Sequence, residues 1–292
     1  YNVLVPRGAN GSSFLHNSTV ANITSNGTEL DNALTNNNPN ALVFFTHNWS
    51  VSNIYNNKAM GVYYSGTNWK IYSEDQSAFQ LNDNFNVFAV NPSNNAFIHT
   101  AAIGNINVNG TTISNPYLDG NPNATIIVSH NWSANTSGVY LDHPIGVFYD
   151  GANWIIYNQD VAAMPVDAAF NVLIADNLPS MSGPYGNYFN HISSVTNSSL
   201  NTTNLSDSWL DDSSSARCLV TACFNPNDVY SNFNFGVWYT DYNWSVYNED
   251  GFTAIPNGSS YNVLVPRGAN GSSFLHNSTV ANISSNGTEL DD

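Results

Sequence analysis

Short apolar runs separated by polar turns recur along the whole chain. Residues 41–46 are Ala-Leu-Val-Phe-Phe-Thr and residues 124–129 are Ala-Thr-Ile-Ile-Val-Ser, so both runs are rich in β-branched and aromatic residues. Runs of this length and composition, bounded by Asn, Gly and Pro, are typical of strands. No stretch of the sequence combines a 3.6-residue apolar period with helix caps. The pattern predicts an all-β fold.

A hairpin is predicted in each third of the chain. Gly61-Val-Tyr-Tyr and Trp69-Lys-Ile-Tyr flank a turn segment that contains Gly66. Asp150-Gly151 and residues 241–243 lie at the matching places, and turns of this composition between two apolar runs favour hairpins. With about five short strands in each third, the sequence predicts three tandem small β-sandwich or barrel-like domains.

Several landmarks recur in the same order and divide the chain into repeats. They are an aromatic-Asn-Val triplet, an aromatic-x-His element, an apolar run, a Gly-Val-aromatic-aromatic strand and a Trp-x-Ile/Val-Tyr strand. Their fixed order indicates tandem copies of one domain. The phase stays open, because the triplet strand could instead close the preceding unit. With the triplet at the start, the predicted repeat units are 1–84, 85–169 and 170–260, followed by a partial fourth unit at 261–292.

The partial fourth unit is a near-copy of residues 1–32. The two segments differ only by Thr24 against Ser284 and Asn32 against Asp292. A lone strand or hairpin is marginal in water, so we expect residues 261–292 to need a partner. The tail of one copy is predicted to pair with, or take the place of, the head of the next. A continuous array with a period of 260 residues is the alternative, and both arrangements generate a fibre.

Composition narrows the classes of partner. Only 9% of the residues are charged, and five Lys and Arg against 21 Asp and Glu give a net charge of −16. So few basic residues argue against nucleic acid and against anionic membrane surfaces as partners. No apolar run reaches the ~20 residues that span a bilayer. We therefore expect neither a nucleic-acid nor a membrane partner.

Eighteen Asn-x-Ser/Thr sequons, in which x is not Pro, are candidate N-glycosylation sites. Their number is about twice what the Asn, Ser and Thr content gives by chance. Asn48, Asn131 and Asn243 are the weaker candidates, because each precedes a Trp that is expected in a core. The stronger candidates are Asn10, Asn17, Asn22, Asn26, Asn109, Asn123, Asn135, Asn197, Asn201, Asn204, Asn257, Asn270, Asn277, Asn282 and Asn286.

Recurring histidines raise the question of a metal site. His16 and His47 recur as His99 and His130, while the third unit has Ala222 in place of the second His. Zinc sites need three or four closely spaced ligands, and the sequence has no such cluster. We predict no metal and expect each His to be a structural residue that donates to backbone.

One Asp and one Trp also recur in each unit. The Asp ends a strand before a turn, where a turn-capping role is expected rather than catalysis or calcium binding. The Trp holds one place in an apolar strand, which favours a core role over sugar binding. These residues are Asp75, Asp160, Asp250, Trp69, Trp154 and Trp244.

The two cysteines occur only in the third unit. Cys218 and Cys223 replace Val43 and Asn48 of the first unit. On a regular strand five residues span ~16 Å and end on opposite faces, whereas a disulfide holds its Cα atoms within ~7 Å. A bulge near Thr221 would bring the thiols together, so a disulfide and two free thiols both stay open.

The landmarks resemble an uncharacterised domain family that occurs as tandem copies in secreted, mostly microbial proteins. The resemblance rests on His47-Asn48-Trp49, His130-Asn131-Trp132 and Trp154-Ile-Ile-Tyr-Asn-Gln-Asp, and unit 3 departs from it with Ala222-Cys223-Phe224. It implies an extracellular context and no catalytic residues. With the dense sequons, the chain also resembles glycan-coated extracellular fibrils built from such repeats.

The predicted function is structural. No singular acid–base constellation, nucleophile motif, P-loop or dinucleotide fingerprint is present, so we expect no enzyme activity and no cofactor. The chain is predicted to be a subunit of a secreted, N-glycosylated filament, joined head to tail, with copies of itself and covalent N-glycans as partners. The alternative is a secreted carbohydrate-binding, lectin-like repeat module.

Overall fold

The structure is a computed structural model, and all of its regular elements are strands. No helix occurs among the residues that it describes, so the predicted all-β class is confirmed. The described residues are 2–3, 11–49, 53–132, 134, 138–175, 186–207, 210–211, 213–240, 242–266, 274–275, 283–284 and 287–288.

Seven strands form each of three domains. The strands of domain 1 are β2 (Gly11–Asn17), β3 (Ile23–Thr24), β4 (Gly27–Glu29), β5 (Leu42–His47), β6 (Met60–Tyr64), β7 (Trp69–Ser73) and β8 (Asn84–Val90). The strands of domain 2 are β9 (Ala96–Thr100), β10 (Ile106–Asn107), β11 (Gly110–Thr112), β12 (Ile126–His130), β13 (Ile145–Tyr149), β14 (Trp154–Asn158) and β15 (Ala169–Ile174). The strands of domain 3 are β16 (Gly186–Ile192), β17 (Ser198–Ser199), β18 (Thr202–Asn204), β19 (Leu219–Cys223), β20 (Phe235–Thr240), β21 (Asn243–Asn248) and β22 (Ser260–Pro266).

Each domain is a sandwich of a three-stranded and a four-stranded sheet. In domain 1 the orders are β2-β8-β5 and β3-β4-β7-β6, and domains 2 and 3 repeat them with their corresponding strands. The predicted hairpin is present in each domain, as in the pairing of Val62 with Ile71. Four further strands lie outside the domains: β1 (Asn2–Val3), β23 (Phe274–Leu275), β24 (Ile283–Ser284) and β25 (Gly287–Thr288).

The aromatic-Asn-Val strand closes each domain. β8 lies between β2 and β5, with Phe85 opposite both His16 and His47. The predicted boundaries after residues 84, 169 and 260 therefore cut each sandwich before its last strand. The repeat has the alternative phase, in which the triplet strand closes the preceding unit. The physical reason is that this strand supplies the middle of the three-stranded sheet, so the sheet cannot form without it.

Apolar side chains from the two facing sheets fill each sandwich. Trp69, Trp154 and Trp244 lie in these cores and are at most 2% exposed, as the sequence predicts. Each indole Nε1 donates to a loop carbonyl, which satisfies the one polar atom of the buried ring. The Trp therefore fixes a loop to the sandwich as well as filling its core.

The three domains meet side by side and close a ring. We name each junction by the two domains that it joins. At junction 1/2 Val62 pairs with Asn131, and at junction 3/1 Asn48 pairs with Val237, each as a parallel bridge. At junction 2/3 strands β13 and β19 pair in parallel and join two sheets into one of seven strands. The three junctions use equivalent positions of the repeat, so each domain contacts both of the others in the same way.

A fourth core lies where the three-stranded sheets face one another. Phe44, Ile127 and Leu219, which hold one position of the repeat, belong to this shared cluster. Their neighbours along the strand, such as Val43 and Ile126, point into the cores of their own domains. The three-stranded sheets are thus buried on both faces, which explains why their strands are continuous apolar runs rather than alternating ones.

Candidate functional sites

Three buried asparagines link the domains at the centre of the ring. They are the middle residues of the aromatic-Asn-Val triplets, and each donates through Nδ2 to a backbone carbonyl of a neighbouring domain. The pairs are Asn86 with Cys218 (3.1 Å), Asn171 with Val43 (3.0 Å) and Asn262 with Ile126 (3.1 Å). A buried amide left unpaired costs ~1–3 kcal/mol, so the recurrent Asn favours this arrangement of domains over separate ones.

Junction 3/1 holds a buried histidine between two carboxylates. His47 Nδ1 lies 2.6 Å from Glu249 Oε1 and 2.8 Å from the Tyr247 hydroxyl, and His47 Nε2 lies 3.6 Å from Asp83 Oδ1. The Asn56 backbone N–H donates to Glu249 Oε2 (3.1 Å), and the Asn56 Nδ2 donates to Asp83 Oδ2 (2.5 Å). All of these groups are shielded from water.

The carboxylates determine the charge of this histidine. Burial by itself lowers the pKa of His47, but the charge of Glu249 and then that of Asp83 raise it to about 9. His47 is therefore an imidazolium at neutral pH, and it joins domain 1 to domain 3 through a buried ion pair.

Junction 1/2 repeats the pair with different residues. His130 Nδ1 lies 2.5 Å from Glu74 Oε1 and 3.3 Å from the Tyr72 hydroxyl. The backbone N–H of Leu141 donates to Glu74 Oε2 at 2.8 Å. Both side chains are at most 2% exposed, so this junction also contains a buried His–Glu link.

Junction 2/3 has the same frame without the charges. Gln159 replaces the Glu and Ala222 replaces the His. Gln159 Oε1 accepts from the backbone N–H of Ser231 (3.2 Å), and its Nε2 donates to the Ile145 carbonyl (3.2 Å). The backbone N–H bond seen at the other two junctions is kept, while the ion pair is replaced by neutral groups.

The His–Glu links differ from the expectation that each His donates to backbone. His16, His99 and His191 bond through Nε2 to a threonine hydroxyl at 2.8 Å, and burial lowers the pKa of each to about 4. The His–Glu pairing was missed, although the sequence holds a signal for it. Among three copies the His is lost once, at Ala222, and the Glu once, at Gln159, and these two positions face each other across junction 2/3.

The recurring aspartates cap turns, as predicted. Asp75 Oδ1 accepts from the backbone N–H of Ser77 (2.9 Å), Asp160 from Ala162 (3.1 Å), and Asp250 from Thr253 (2.9 Å). In the part of the chain that the structure describes, no group of three or more His, Cys, Asp and Glu could hold a metal ion. The same part contains no helix long and apolar enough to cross a membrane.

The thiols are free and lie in different cores. Cys218 belongs to the core of domain 3, whereas Cys223 packs into the core of domain 2. β19 is a regular strand from Leu219 to Cys223, so no bulge brings the thiols together. Of the two alternatives left open by the sequence, the structure has two free thiols and no disulfide between Cys218 and Cys223.

The sequon asparagines differ in their access to solvent. Asn48 and Asn131 are buried and donate through Nδ2 to the Oδ1 atoms of Asn86 and Asn171 (3.0 and 2.8 Å). A glycan replaces an Nδ2 hydrogen and must extend into solvent, so these two positions cannot carry one in the folded chain. The exposed sequon residues are Asn17, Asn123, Asn204 and Asn257. The half-buried ones are Asn22, Asn26, Asn109, Asn197, Asn201 and Asn243. Asn10, Asn135, Asn270, Asn277, Asn282 and Asn286 lie outside the described residues.

Five half-buried sequon residues donate through Nδ2 to a backbone carbonyl: Asn22, Asn26, Asn109, Asn197 and Asn201. Two of them hold the same position of the repeat. Asn22 Nδ2 donates to the Asn17 carbonyl (2.9 Å) and Asn197 Nδ2 to the Ile192 carbonyl (2.9 Å). Asn105 makes the same bond to Thr100 (3.0 Å), yet Asn105 is not followed by the sequon pattern. The amide at this position therefore stabilises a turn whether or not it belongs to a sequon.

The first strand of the chain pairs with the partial fourth unit. β1 and β23 are antiparallel, with Asn2 opposite Leu275 and Val3 opposite Phe274. Inside domain 1 the corresponding pairs are Asn86 with Leu15 and Val87 with Phe14. A Tyr-Asn-Val strand thus joins the opening strand of the fourth unit in the register used within the domains. β24 and β25 pair as β3 and β4 do in domain 1.

Comparison with known families gives one match in four overlapping segments. A domain of unknown function (DUF7452) matches residues 1–89, 74–174, 180–265 and 243–292. The first three segments end at residues 89, 174 and 265, within one residue of the ends of β8, β15 and β22, the last strands of the three domains. No curated protein matches the chain.

Proposed function

We propose that this chain, which belongs to the DUF7452 family of repeated domains, is the subunit of an extracellular, N-glycosylated filament assembled head to tail. The observation that carries the proposal is the pairing of β1 with β23 in the register of the domains. In a filament the same pairing joins the head of one copy to the tail of the next.

The closed ring supports a joint made by the terminal segments rather than by the domain surfaces. Each domain uses its junction surfaces on the other two domains of the same chain. Growth then depends on an element outside the ring, and residues 267–292 repeat residues 7–32 almost completely. Because a partial sandwich leaves strand edges unpaired, this segment gains most from a strand supplied by a second copy.

The strand pairings inside the domains bear on which elements a second copy could exchange. Residues 11–29 of domain 1 already pair with β7 and β8 of their own sandwich, so a tail that replaced them would have to displace formed sheets. Residues 260–266 close domain 3. The exchanged elements in our proposal are therefore β1 as the closing strand and residues 267–292 as the opening of the joint domain, with main-chain hydrogen bonds across the contact. A continuous covalent array is the alternative arrangement of the same fibre.

Exposed sequons support the glycosylated part of the proposal. Asn17 lies on β2, an outer strand of its sheet, and Asn123, Asn204 and Asn257 are also exposed. With 9% charged residues, the surface has few of the charges that normally keep strand edges of neighbouring molecules apart. Bulky glycans at these positions provide that separation.

Two deletions test the joint by electron microscopy and light scattering. Removing residues 267–292 leaves all three sandwiches complete, and removing residues 1–6 leaves the same three domains. We expect each deletion to give soluble three-domain monomers. A mixture of the two has one free head and one free tail, so it should form dimers that do not grow.

Filaments of unchanged repeat from the chain lacking residues 267–292 would contradict the proposal. Denaturing electrophoresis of deglycosylated filaments separates the two arrangements. Subunits made from this sequence and joined without covalent bonds run at its mass of 31.8 kDa, whereas copies joined in a covalent array run at a multiple of that mass.

A further inference from the structure

A cleft at junction 1/2 is lined by four aromatic rings and one amide. Tyr63 and Tyr72 of domain 1, Trp132 and Tyr140 of domain 2, and Asn26 surround a volume of about 220 Å³. The ring centroids form a cycle with spacings of 5.5 Å for Tyr63–Tyr72, 6.0 Å for Tyr72–Tyr140, 5.9 Å for Tyr140–Trp132 and 6.0 Å for Trp132–Tyr63.

The polar groups of this aromatic cleft are neutral and partly unused. Trp132 Nε1 is buried and has no hydrogen-bond partner in the part of the chain that the structure describes. The Tyr72 hydroxyl is held by His130 (3.3 Å). Lys70 does not line the cleft, and its Nζ lies 5.7 Å from the Tyr63 ring centroid. Aromatic walls with a few donors and acceptors suit a ligand that has apolar faces and hydroxyl edges.

Size and charge narrow the ligand further. Pockets for drug-sized ligands measure ~300–1,000 Å³, so this smaller cleft takes a single ring. The chain carries a net charge of −16, which disfavours anionic ligands. A neutral sugar ring meets each of these conditions.

We propose that the aromatic cleft binds a pyranose ring of a neutral saccharide. The saccharide comes either from an N-glycan on Asn26 of the same chain or from a separate glycan. The Asn26 Nδ2 lies 3.4 Å from the Ser73 carbonyl, and a glycosylated amide keeps one N–H for that contact. The cleft proposal does not depend on filament assembly, and only the first source depends on glycosylation.

Junction 2/3 provides a natural control for the cleft. Phe148, Tyr157, Phe224 and Tyr230 occupy the equivalent positions, without an indole. The Phe224 and Tyr230 centroids are 4.7 Å apart, against 5.9 Å for Trp132 and Tyr140. Tyr140 and Tyr230 are similarly exposed, at 41% and 48%, so the same substitution can be compared at both junctions.

The first experiment uses full-length chain made without glycans. N,N′-diacetylchitobiose, cellobiose and choline are titrated separately, and binding is followed by calorimetry and by saturation-transfer NMR. We expect saturable binding of a disaccharide and none of choline. Tyr140→Ala should weaken sugar binding about tenfold or more, the scale of losing one binding hot spot. Tyr230→Ala should leave it unchanged, and thermal melting checks that both variants are folded.

The second experiment identifies the source with glycosylated chain. If the glycan on Asn26 fills the cleft, added disaccharide binds only after Asn26→Gln, a substitution that must not alter binding in the unglycosylated chain. If the ligand is a separate glycan, the glycosylated chain binds disaccharide without that substitution. Absence of saturable sugar binding, equal loss in Tyr140→Ala and Tyr230→Ala, or binding of choline instead of sugar would each overturn the proposal.

Discussion

Junctions 1/2 and 2/3 join their domains through the same backbone contacts but with different side chains. Both use a parallel backbone pairing and a backbone N–H bound by the residue at position 74 or 159. Junction 1/2 adds a buried His130–Glu74 pair, whereas junction 2/3 has Ala222 and Gln159 at those places. A His–Glu pair is therefore not needed to join two of these domains.

This difference between the junctions indicates that the His–Glu pairs contribute to the order of the domains more than to stability. A buried ion pair adds little net stability over a neutral contact, but breaking one by removing a partner leaves an uncompensated charge and costs ~3–5 kcal/mol. If the domains met in another order, a buried Glu would face Ala222, or a His would face Gln159. We infer that the His–Glu pairs specify which domains meet, because only the observed order places a His opposite each Glu.

The largest effect is expected from removing one charge at junction 3/1. His47→Ala leaves Glu249 and Asp83 buried without a cation, so the free energy of unfolding should fall by about 3–5 kcal/mol. The matched change at the neutral junction is Gln159→Ala, which loses two hydrogen bonds and should cost about 1–3 kcal/mol. Urea unfolding measures both, and equal losses would show that the charge at junction 3/1 has no special role.

Replacing both members of a His–Glu pair should cost less than replacing the His alone. His130→Ala with Glu74→Gln gives junction 1/2 the residues of junction 2/3. We expect this double variant to be more stable than His130→Ala alone, because no buried carboxyl group is left without its partner. The same urea titration gives the coupling energy, and strictly additive losses would contradict the interpretation.

Stability should also depend on pH in a way that separates the two classes of histidine. The pKa of His47 is raised to about 9, above the unfolded value of about 6.5, so its contribution is complete below pH ~6.5 and is lost as pH rises through 9. The pKa of His16, His99 and His191 is lowered to about 4, so their contribution is complete above pH ~6.5 and is lost as pH falls toward 4. His47→Ala should remove only the alkaline change. Parallel pH profiles for the two chains would refute the assignment of that change to His47.

A smaller effect is expected at the landmark glycines. A Cβ on Gly61 would meet the Glu74 carboxylate, Tyr72 Cε1 at 2.9 Å and His130 Nδ1 at 3.0 Å. The three atoms nearest to a Cβ on Gly146 all belong to Tyr157, at 3.0–3.1 Å. Gly61→Ala should cost about 1–3 kcal/mol through overpacking, and Gly146→Ala should cost less. Thermal melting of the two variants checks the order, and the reverse order would show that the charged junction is not the more tightly packed.

The smallest effect concerns the thiols. Cys218→Val introduces the residue that domain 1 has at Val43, so the free energy of unfolding should change by less than about 1.5 kcal/mol. Because both cysteines are free, a reductant should not change the melting temperature of the unmodified chain. A reductant-dependent melting temperature would indicate a disulfide and correct this part of the structure.

Local pattern was enough to predict the strands, hairpins and core tryptophans, because each depends on neighbours close in sequence. The phase of the repeat was not predictable, since the strand beginning at Phe85 pairs with residues 11–17 and 42–47 and its apolar pattern fits either side. The junction pairs were also missed, because His47 and Glu249 are far apart in the chain and meet only when the ring closes. The burial of the sequon residue Asn48, which pairs with Val237 across junction 3/1, depends on the same closure.

The measurement that tests head-to-tail assembly most directly is a cysteine cross-link between copies. Val3→Cys and Phe274→Cys place thiols on facing residues of β1 and β23, whose Cα atoms in an antiparallel pair are ~4.5–5.5 Å apart and within disulfide range. When chains carrying one substitution each are mixed and oxidised, we expect disulfide-linked dimers, and none when Ile283→Cys replaces Phe274→Cys. If the mixture stays monomeric while the double variant closes only within its own chain, β1 and β23 do not join separate subunits, and the account of the filament is contradicted.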